Sequence, residues 1–301
     1  MQNLLFQLGK FFLQGFQLLP LTWVARIGRL GGHLTFLLFR KHRQIAIDNL
    51  TRVFGTTHST EEIHAIAREN LSRIGEAYAC AIKTTSMPEK KLFSRLEVLG
   101  VEQLQKRNPD ASNAIIAIGH FANFEVYARA ATVAGNFRAA TTYRGLKPPF
   151  ADRLLRWLRE QSGCLFFERR TQANELKREL ASGGVLLGLL SDQHAGNGGI
   201  RGPFFGVDCS TTSAPAVLAL RYNAPLFTAI CYRTSLARWR VEIGPPIPLK
   251  DENGVRSVEQ ITQDINLAFE KGIRRDPANW FWVHRRWKPA PAGKKREQAI
   301  A

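Results

Sequence analysis

Ala114-Ile115-Ile116-Ala117-Ile118-Gly119-His120-Phe121-Ala122-Asn123-Phe124-Glu125 is the stretch on which the fold turns. Its first five residues form a short apolar run closed by glycine, the pattern of a strand buried on both faces. The residues after Gly119 change to a helical spacing, with Asn123 placed to cap the helix and Glu125 in its first turn. The same rhythm recurs downstream. Ala139–Tyr143, Val185–Leu190, Leu226–Tyr232 and Trp239–Ile243 read as strands, and helical segments near 124–134, 148–161, 171–180 and 211–222 separate most of them. Strands alternating with helices predict one α/β domain with a mostly parallel central sheet flanked by helices.

Upstream the pattern is helical. Ser59 and Glu62 form a capping box ahead of a long helix carrying Ile63, Ile66, Leu71, Ile74 and Ile82. In the first nineteen residues Asn3, Gln7, Lys10, Gln14 and Gln17 fall on one narrow polar stripe, and nearly everything else is apolar. Two readings stay open here: a helix packed on the protein's own core, or the preferred one, a membrane-surface or shallowly inserted anchor. A single span by residues 2–19 is also within reach, since ~18 residues at ~1.5 Å each nearly cross a ~30 Å hydrocarbon layer. A second apolar stretch, Leu21 to Phe39, ends in the basic cluster Arg40-Lys41-His42-Arg43. The expected organisation is a membrane-anchoring helical segment over 1–43, the α/β domain over 44–290 and a flexible basic tail over 291–301.

Composition narrows the function. The chain has 301 residues with 42 Lys+Arg against 25 Asp+Glu, a net charge of +17, which selects anionic partners. With 45% hydrophobic and 22% charged residues it is not disordered, and no long apolar run free of charge suggests several membrane spans. Cys80, Cys164, Cys209 and Cys231 are scattered, which argues against a disulfide scaffold or zinc ribbon and suits a reducing compartment.

No G-x-S-x-G elbow, P-loop, G-x-G-x-x-G or H-E-x-x-H occurs. What remains is His120 with Glu125 five residues on. The same spacing occurs in His64 and Glu69, but inside a continuous helix, where five residues turn through about 500° and leave the side chains about 140° apart. His120 and Glu125 instead straddle a strand-to-helix corner, where the imidazole can fold back toward the carboxylate. The position is also where open α/β sheets gather ligands. Further polar residues follow other strands: Arg144 after Tyr143, and Asp192-Gln193 after Leu190, leading through Arg201 to Phe204-Phe205-Gly206. Taken singly, Arg144 reads as a surface ion-pair residue, Asp192 as a turn cap and the Phe-Phe-Gly triplet as a hairpin edge. Three such clusters at the strand ends of one sheet point to a site.

The combination of Gly119-His120-Phe121-Ala122-Asn123-Phe124-Glu125, Tyr143-Arg144, Asp192-Gln193 and Phe204-Phe205-Gly206 resembles the bacterial lipid A biosynthesis acyltransferases. Ala46-Ile47-Asp48-Asn49-Leu50, Ala214-Pro215-Ala216, Ala224-Pro225 and Trp282-Val283-His284-Arg285-Arg286-Trp287-Lys288 extend the likeness over almost the whole chain. The family often has Gly and Trp where this chain has Ala122 and Phe124. Wider glycerolipid acyltransferases are the nearest alternative, but their Glu-Gly-Thr-Arg motif is missing.

The resemblance implies acyl transfer from an acyl thioester, normally on acyl carrier protein, to a hydroxyl of a phosphorylated glycolipid. His120 would be the general base, with Glu125 fixing its tautomer. The oxyanion would be met by backbone N–H groups of the 120–125 corner or by Arg144. Arg144 and Arg201 could instead hold an acceptor phosphate, Asp192 and Gln193 could position sugar hydroxyls or orient Arg144, and Asn123 completes the candidate substrate-binding set. No metal or organic cofactor is expected, and no nucleic-acid partner. The expected location is the inner membrane, with the site facing the cytoplasm and the basic surface serving the acidic carrier, the phosphorylated acceptor and the anionic leaflet. Two other functions are to be tested against this one: an acyl-CoA-dependent acyltransferase acting on a glycerolipid or other glycolipid, and a non-enzymatic basic protein binding membrane or nucleic acid.

Overall fold

The computed structural model describes residues 1–107 and 112–288. The chain begins with four helices, α1 (Gln2–Leu18), α2 (Leu21–Leu38), α3 (Arg40–Phe54) and α4 (Thr60–Thr84), followed by the short α5 (Glu89–Phe93). The capping box read from Ser59 is formed. Its hydroxyl accepts the Glu62 N–H at 3.2 Å, and the Glu62 carboxylate accepts the Ser59 N–H at 2.7 Å. α2 lies unusually close to α4, because a Cβ added to Gly28 would fall 2.5 Å from the Gly75 carbonyl oxygen. Any side chain there would force the helices apart.

The α/β region then runs β1 (Leu96–Leu99), α6 (Val101–Arg107), β2 (Ala114–Ile118), α7 (Val126–Ala130), β3 (Arg138–Tyr143), α8 (Pro149–Glu160), β4 (Leu165–Glu168), α9 (Ala173–Ala181) and β5 (Val185–Leu190). Next come the hairpin β6 (Ile200–Phe204) and β7 (Val207–Thr211), α10 (Ala214–Arg221), β8 (Leu226–Ser235), β9 (Arg238–Ile243), the two-residue strands β10 (Lys250–Asp251) and β11 (Gly254–Val255), and α11 (Val258–Arg275). Seven strands form the central sheet in the order β1-β9-β8-β2-β5-β3-β4. β8, β2, β5, β3 and β4 are mutually parallel, while β9 returns antiparallel to β8 and β1 lies parallel to β9. The expected mostly parallel α/β sheet is therefore present. The sequence reading missed β1 and β4, the two edge strands, whose apolar residues span only four positions each.

The amino terminus differs from one of its readings for a clear reason. Part of the polar stripe of α1 reaches the protein: Gln17 donates to the Ile82 carbonyl at 2.8 Å, Asn3 accepts from Arg153 at 3.2 Å, and Lys10 sits 5.3 Å over the Trp157 ring, while Gln7 and Gln14 are exposed. Leu4, Leu8, Phe11, Phe12 and Leu18 point outward, 50% to 85% exposed. Phe6 is buried and Phe16 packs against the core, so the helix is held by part of its apolar surface and leaves the rest outward. On α2, Trp23, Ile27, Leu30, Leu34, Leu37 and Leu38 make a second exposed apolar stripe, opposite the buried Val24, Ala25 and Phe36. Among the described residues no helix is long and apolar enough to cross a membrane, so the single span proposed for residues 2–19 does not stand. The tail expected at 291–301 lies outside the described residues.

Candidate active site

Sheet register builds the site. β2 and β5 are neighbours, with Ile118 opposite Leu190. His120 and Asp192 each stand two residues beyond that pair, so two parallel strands deliver them to the same height. The His120 ring meets Asp192, with Nδ1 2.8 Å from Oδ1, and the His120 backbone N–H donates to Oδ2 at 2.8 Å. Trp280 donates its indole N–H to the same Oδ2 at 2.7 Å. Asp192 is 1% exposed. Burial raises its pKa, but the His120 charge and the hydrogen bonds from His120 and Trp280 outweigh it and hold the carboxyl below its usual range. When the ring is neutral, the ionised acceptor beside Nδ1 places its one proton there, which leaves the Nε2 lone pair free.

The corner that carries His120 is held by the carboxyl-terminal segment. Phe281 N–H donates to the His120 carbonyl at 3.1 Å and Ala122 N–H to the Asn279 carbonyl at 3.0 Å. Ala122 takes a left-handed conformation, φ 42°, which a side chain resists. Asn70 of α4 and Asn49 of α3 secure the same segment, Asn70 by donating to the Ala278 and Trp280 carbonyls, Asn49 to those of Trp282 and His284. Phe124 and Phe281 stand against the imidazole, with ring centres at 5.0 and 6.1 Å. Side chains of His120 remain 16% exposed.

Glu125 does not meet His120. Its carboxylate is gripped by Arg159 of α8 through two bonds, 2.5 Å from Nη2 and 3.2 Å from Nε, with both side chains 14% exposed. The carboxylate that the structure sets against the His120 ring is that of Asp192, not of Glu125. Asn123 is not the helix cap either, because that position falls to Glu125. The Asn123 side chain turns inward and donates to the Thr84 hydroxyl at 3.3 Å. The His64–Glu69 pair does not form: Glu69 binds Arg29 and Arg73 instead.

The other candidates are scattered around this centre. Gln193 is half-buried beside Asp192, and Arg144 is exposed on the loop after β3. Arg201 forms an ion pair with Asp208 across the β6–β7 hairpin. Behind the site, burial pushes the His284 imidazole down to about 4, so it stays neutral, and its Nε2 accepts the His194 N–H at 3.0 Å. Arg286 is fully buried, donating to the Ser210 carbonyl and the Thr211 hydroxyl. Sequence reasoning missed Arg159 and Trp280. Only the pairing of Arg159 with Glu125 distinguishes it from neighbouring arginines, and that pairing is visible only in three dimensions.

An apolar cavity opens beneath α7, enclosing about 770 Å³ of space including its solvent-open part. Ile116, Ile118, Leu186, Gly188 and Leu190 line the sheet side, and Ala128, Ala131 and Ala134 the helix side. Glu125 and Arg159 are the two charged residues in its wall. Phe124 borders both this cavity and the smaller cleft that contains His120. Among the described residues no group of three His, Cys, Asp or Glu side chains is arranged to hold a metal ion.

Sheet and strand-end polar groups place the molecule among the α/β enzymes that work at the carboxyl ends of parallel strands. Comparison with known proteins gives the narrower class. The profile of the bacterial lipid A biosynthesis acyltransferases matches residues 1–289, and the chain belongs to that family. It is 25% identical over 282 residues to a lipid A biosynthesis palmitoleoyltransferase of Escherichia coli (strain K12), covering 91% of this chain and 88% of that protein. A lipid A biosynthesis acyltransferase of Shigella flexneri matches to the same extent. A lipid A biosynthesis lauroyltransferase of Escherichia coli (strain K12) is 23% identical over 280 residues, with the same coverage. The protein is an acyltransferase of lipid A biosynthesis.

Proposed function

We propose that His120 is the general base of an acyl transfer from a thioester on an acyl carrier protein to a hydroxyl of a phosphorylated glycolipid. A hydroxyl attacks poorly until its proton is taken, and Nε2 of His120 has the free lone pair to take it. Asp192 holds the opposite nitrogen and stabilises the imidazolium as it forms. The proton then passes from Nε2 to the departing thiolate as the tetrahedral intermediate collapses, and the new ester stays on the acceptor. Positioned base catalysis of this kind contributes roughly 10²–10⁴ in rate. Glu125 holds Arg159 in the wall of the apolar cavity that Phe124 separates from the His120 cleft, and the guanidinium serves there as the cation for the developing oxyanion. The acyl chain occupies the apolar cavity. Arg144 and Arg201, both exposed, serve the phosphates of the acceptor.

The carrying observation is the His120–Asp192 pair, made by register and sealed by Trp280. The exposed apolar faces of α1 and α2, with Arg26, Arg40 and Lys41 exposed on and beside α2, support seating on an anionic leaflet, with the site on the cytoplasmic side where the thioester is made. The test is direct. The protein is incubated with acyl carrier protein or CoA thioesters and with either lipid A precursor or phospholipid, and the lipids are weighed. One added acyl chain on lipid A precursor, lost in His120→Ala, is the expected result. A mass gain on phospholipid alone, or full turnover by His120→Ala, overturns the proposal.

A further inference from the structure

A further cavity shares no lining residue with the His120 cleft or with the apolar cavity beneath α7. It opens between the β6–β7 hairpin and the first turns of α11. Including its solvent-open part it encloses about 570 Å³, within the ~300–1,000 Å³ of small-ligand sites. We propose that it binds a saccharide, a neutral compound presenting several hydroxyls.

Its shape follows from the sequence of α11. Ile261, Ile265, Phe269 and Ile273 point into the core, as an amphipathic helix requires. Glu259, Thr262, Gln263 and Asn266 recur at the three- and four-residue spacings of a second, polar face, and all four line the cavity. That face is pinned to the hairpin at its far end. Asn266 donates to the Pro203 carbonyl at 3.4 Å and to the Thr211 hydroxyl at 3.3 Å, and one turn on Glu270 accepts the Phe205 N–H at 2.7 Å. Thr211, Thr262 and Asn266, 1%, 3% and 2% exposed, therefore form the floor. Arg201, Glu259 and Gln260, all exposed, stand at the mouth. α11 rises ~10 Å between Glu259 and Asn266.

The floor asks for a particular kind of group. Among the described residues, neither Thr262 Oγ1 nor Asn266 Oδ1 has a hydrogen-bond partner. A mid-helix threonine that faces inward ordinarily bonds the carbonyl four residues back, and a buried polar atom without a partner is destabilising. Asn266 Oδ1 can only accept, whereas the Thr262 hydroxyl can donate or accept. An anion has no proton to give to Asn266, and a cation would face the Arg286 guanidinium, which is buried behind the Thr211 hydroxyl and donates to it at 2.6 Å. A neutral hydroxyl answers both floor atoms. Toward the mouth the Gln260 and Gln263 amides, Arg201 and Glu259 offer donors and acceptors for further hydroxyls, and Ile200 and Pro203 give an apolar wall for the carbon face of a ring. Gly202 keeps that wall low: a Cβ built on it meets only Gln263 Oε1, at 3.5 Å, so a longer side chain there would grow into the cavity. Two sources offer such hydroxyls, a sugar ring of the glycolipid acceptor and a free saccharide. Only the first rests on the acyl-transfer reading.

The test compares wild type with Thr262→Val, which keeps the shape and removes the hydroxyl, and Gly202→Leu, which fills the cavity. Glucose, N-acetylglucosamine and maltose are titrated into the full-length protein, in a detergent without a sugar headgroup, and read by saturation-transfer NMR. KM for lipid A precursor is measured in parallel. Saccharide binding is expected in the wild type, roughly 3–10-fold weaker in Thr262→Val and abolished in Gly202→Leu. Without ligand, Thr262→Val should melt about 2–4 °C above wild type, because it removes a buried hydroxyl that the fold leaves unpaired. If the acceptor is the source, both variants also raise KM for lipid A precursor with kcat unchanged. If a free saccharide is the source, KM holds while saccharide binding is still lost. No saccharide binding together with an unchanged KM overturns the proposal and leaves the floor to bound water. Saccharide binding that neither variant weakens lies elsewhere and overturns it equally. If Gly202→Leu does not fold, Thr262→Val decides the matter. Saccharide binding lost in the variants of a protein that turns over no donor would count against acyl transfer and leave this pocket standing.

Discussion

Asp192 and Glu125 are the two acids of this site, and they have opposite relations to His120. Glu125 is five residues away in sequence and binds an arginine. Asp192 is seventy-two residues away and binds the imidazole through both its ring and its backbone. Proximity along the chain did not choose the partner; strand register did. A left-handed residue at Ala122 turns the corner so that Glu125 leaves along α7 toward α8, while β5 brings Asp192 in beside β2. The sharpest way to break this contrast is to disable each acid in turn.

Asp192→Asn is expected to have the largest effect. If the amide oxygen keeps the N–H donors of His120 and Trp280, its NH₂ faces Nδ1, which must then accept. The ring proton is driven to Nε2, where the base needs its lone pair. Loss of the correct tautomer costs on the order of 10³–10⁴ in kcat in triads of this logic, and steady-state turnover at saturating donor measures it. A loss under about tenfold would mean that Asp192 only braces the corner.

Glu125→Gln should cost less activity and act differently. It leaves the Arg159 guanidinium, 14% exposed, without its counter-charge. The expected loss is ~10–100-fold in turnover, with destabilisation of about 1–3 kcal/mol. Pairing it with Arg159→Met should recover stability but not activity, because the stranded charge is gone while the cation is too. Chemical denaturation and turnover of the single and double variants read the two parts separately. Activity losses as deep as those of Asp192→Asn would return Glu125 to the role first expected of it.

How much of this was legible beforehand follows from the same contrast. Five of the seven sheet strands announced themselves, because apolar runs such as Ala114–Ile118 and Val185–Leu190 need no partner to be recognised. His120 and Asp192 were both visible as polar residues just past a strand. What was missing was the strand order. Nothing local says that β5 rather than β3 or β8 carries the residue facing His120, although the shared two-residue offset beyond Ile118 and Leu190 was a usable signal once β2 and β5 are taken as neighbours. Trp280 and Arg159 arrive from separate elements, one from the carboxyl-terminal segment and one from α8, with no spacing to mark them. At the amino terminus the polar stripe was read correctly as a stripe, but a stripe does not say which side faces the protein.

The corner itself offers the smallest and most specific test. Ala122 holds φ 42° because its N–H is tied to the Asn279 carbonyl and the neighbouring Phe121 forms a bridge with Trp280. A Cβ in that conformation costs about 1–2 kcal/mol. Glycine removes the strain but gives the unfolded chain more freedom, which returns roughly 0.5–1 kcal/mol. Ala122→Gly should therefore stabilise the protein by about 0.5–1 kcal/mol in urea unfolding, and turnover should hold, since the ties from Asn279 and Asp192 still fix His120. If stability rises but turnover falls severalfold, the strain at Ala122 is part of what aims the imidazole, and the corner is more than a route by which Glu125 departs.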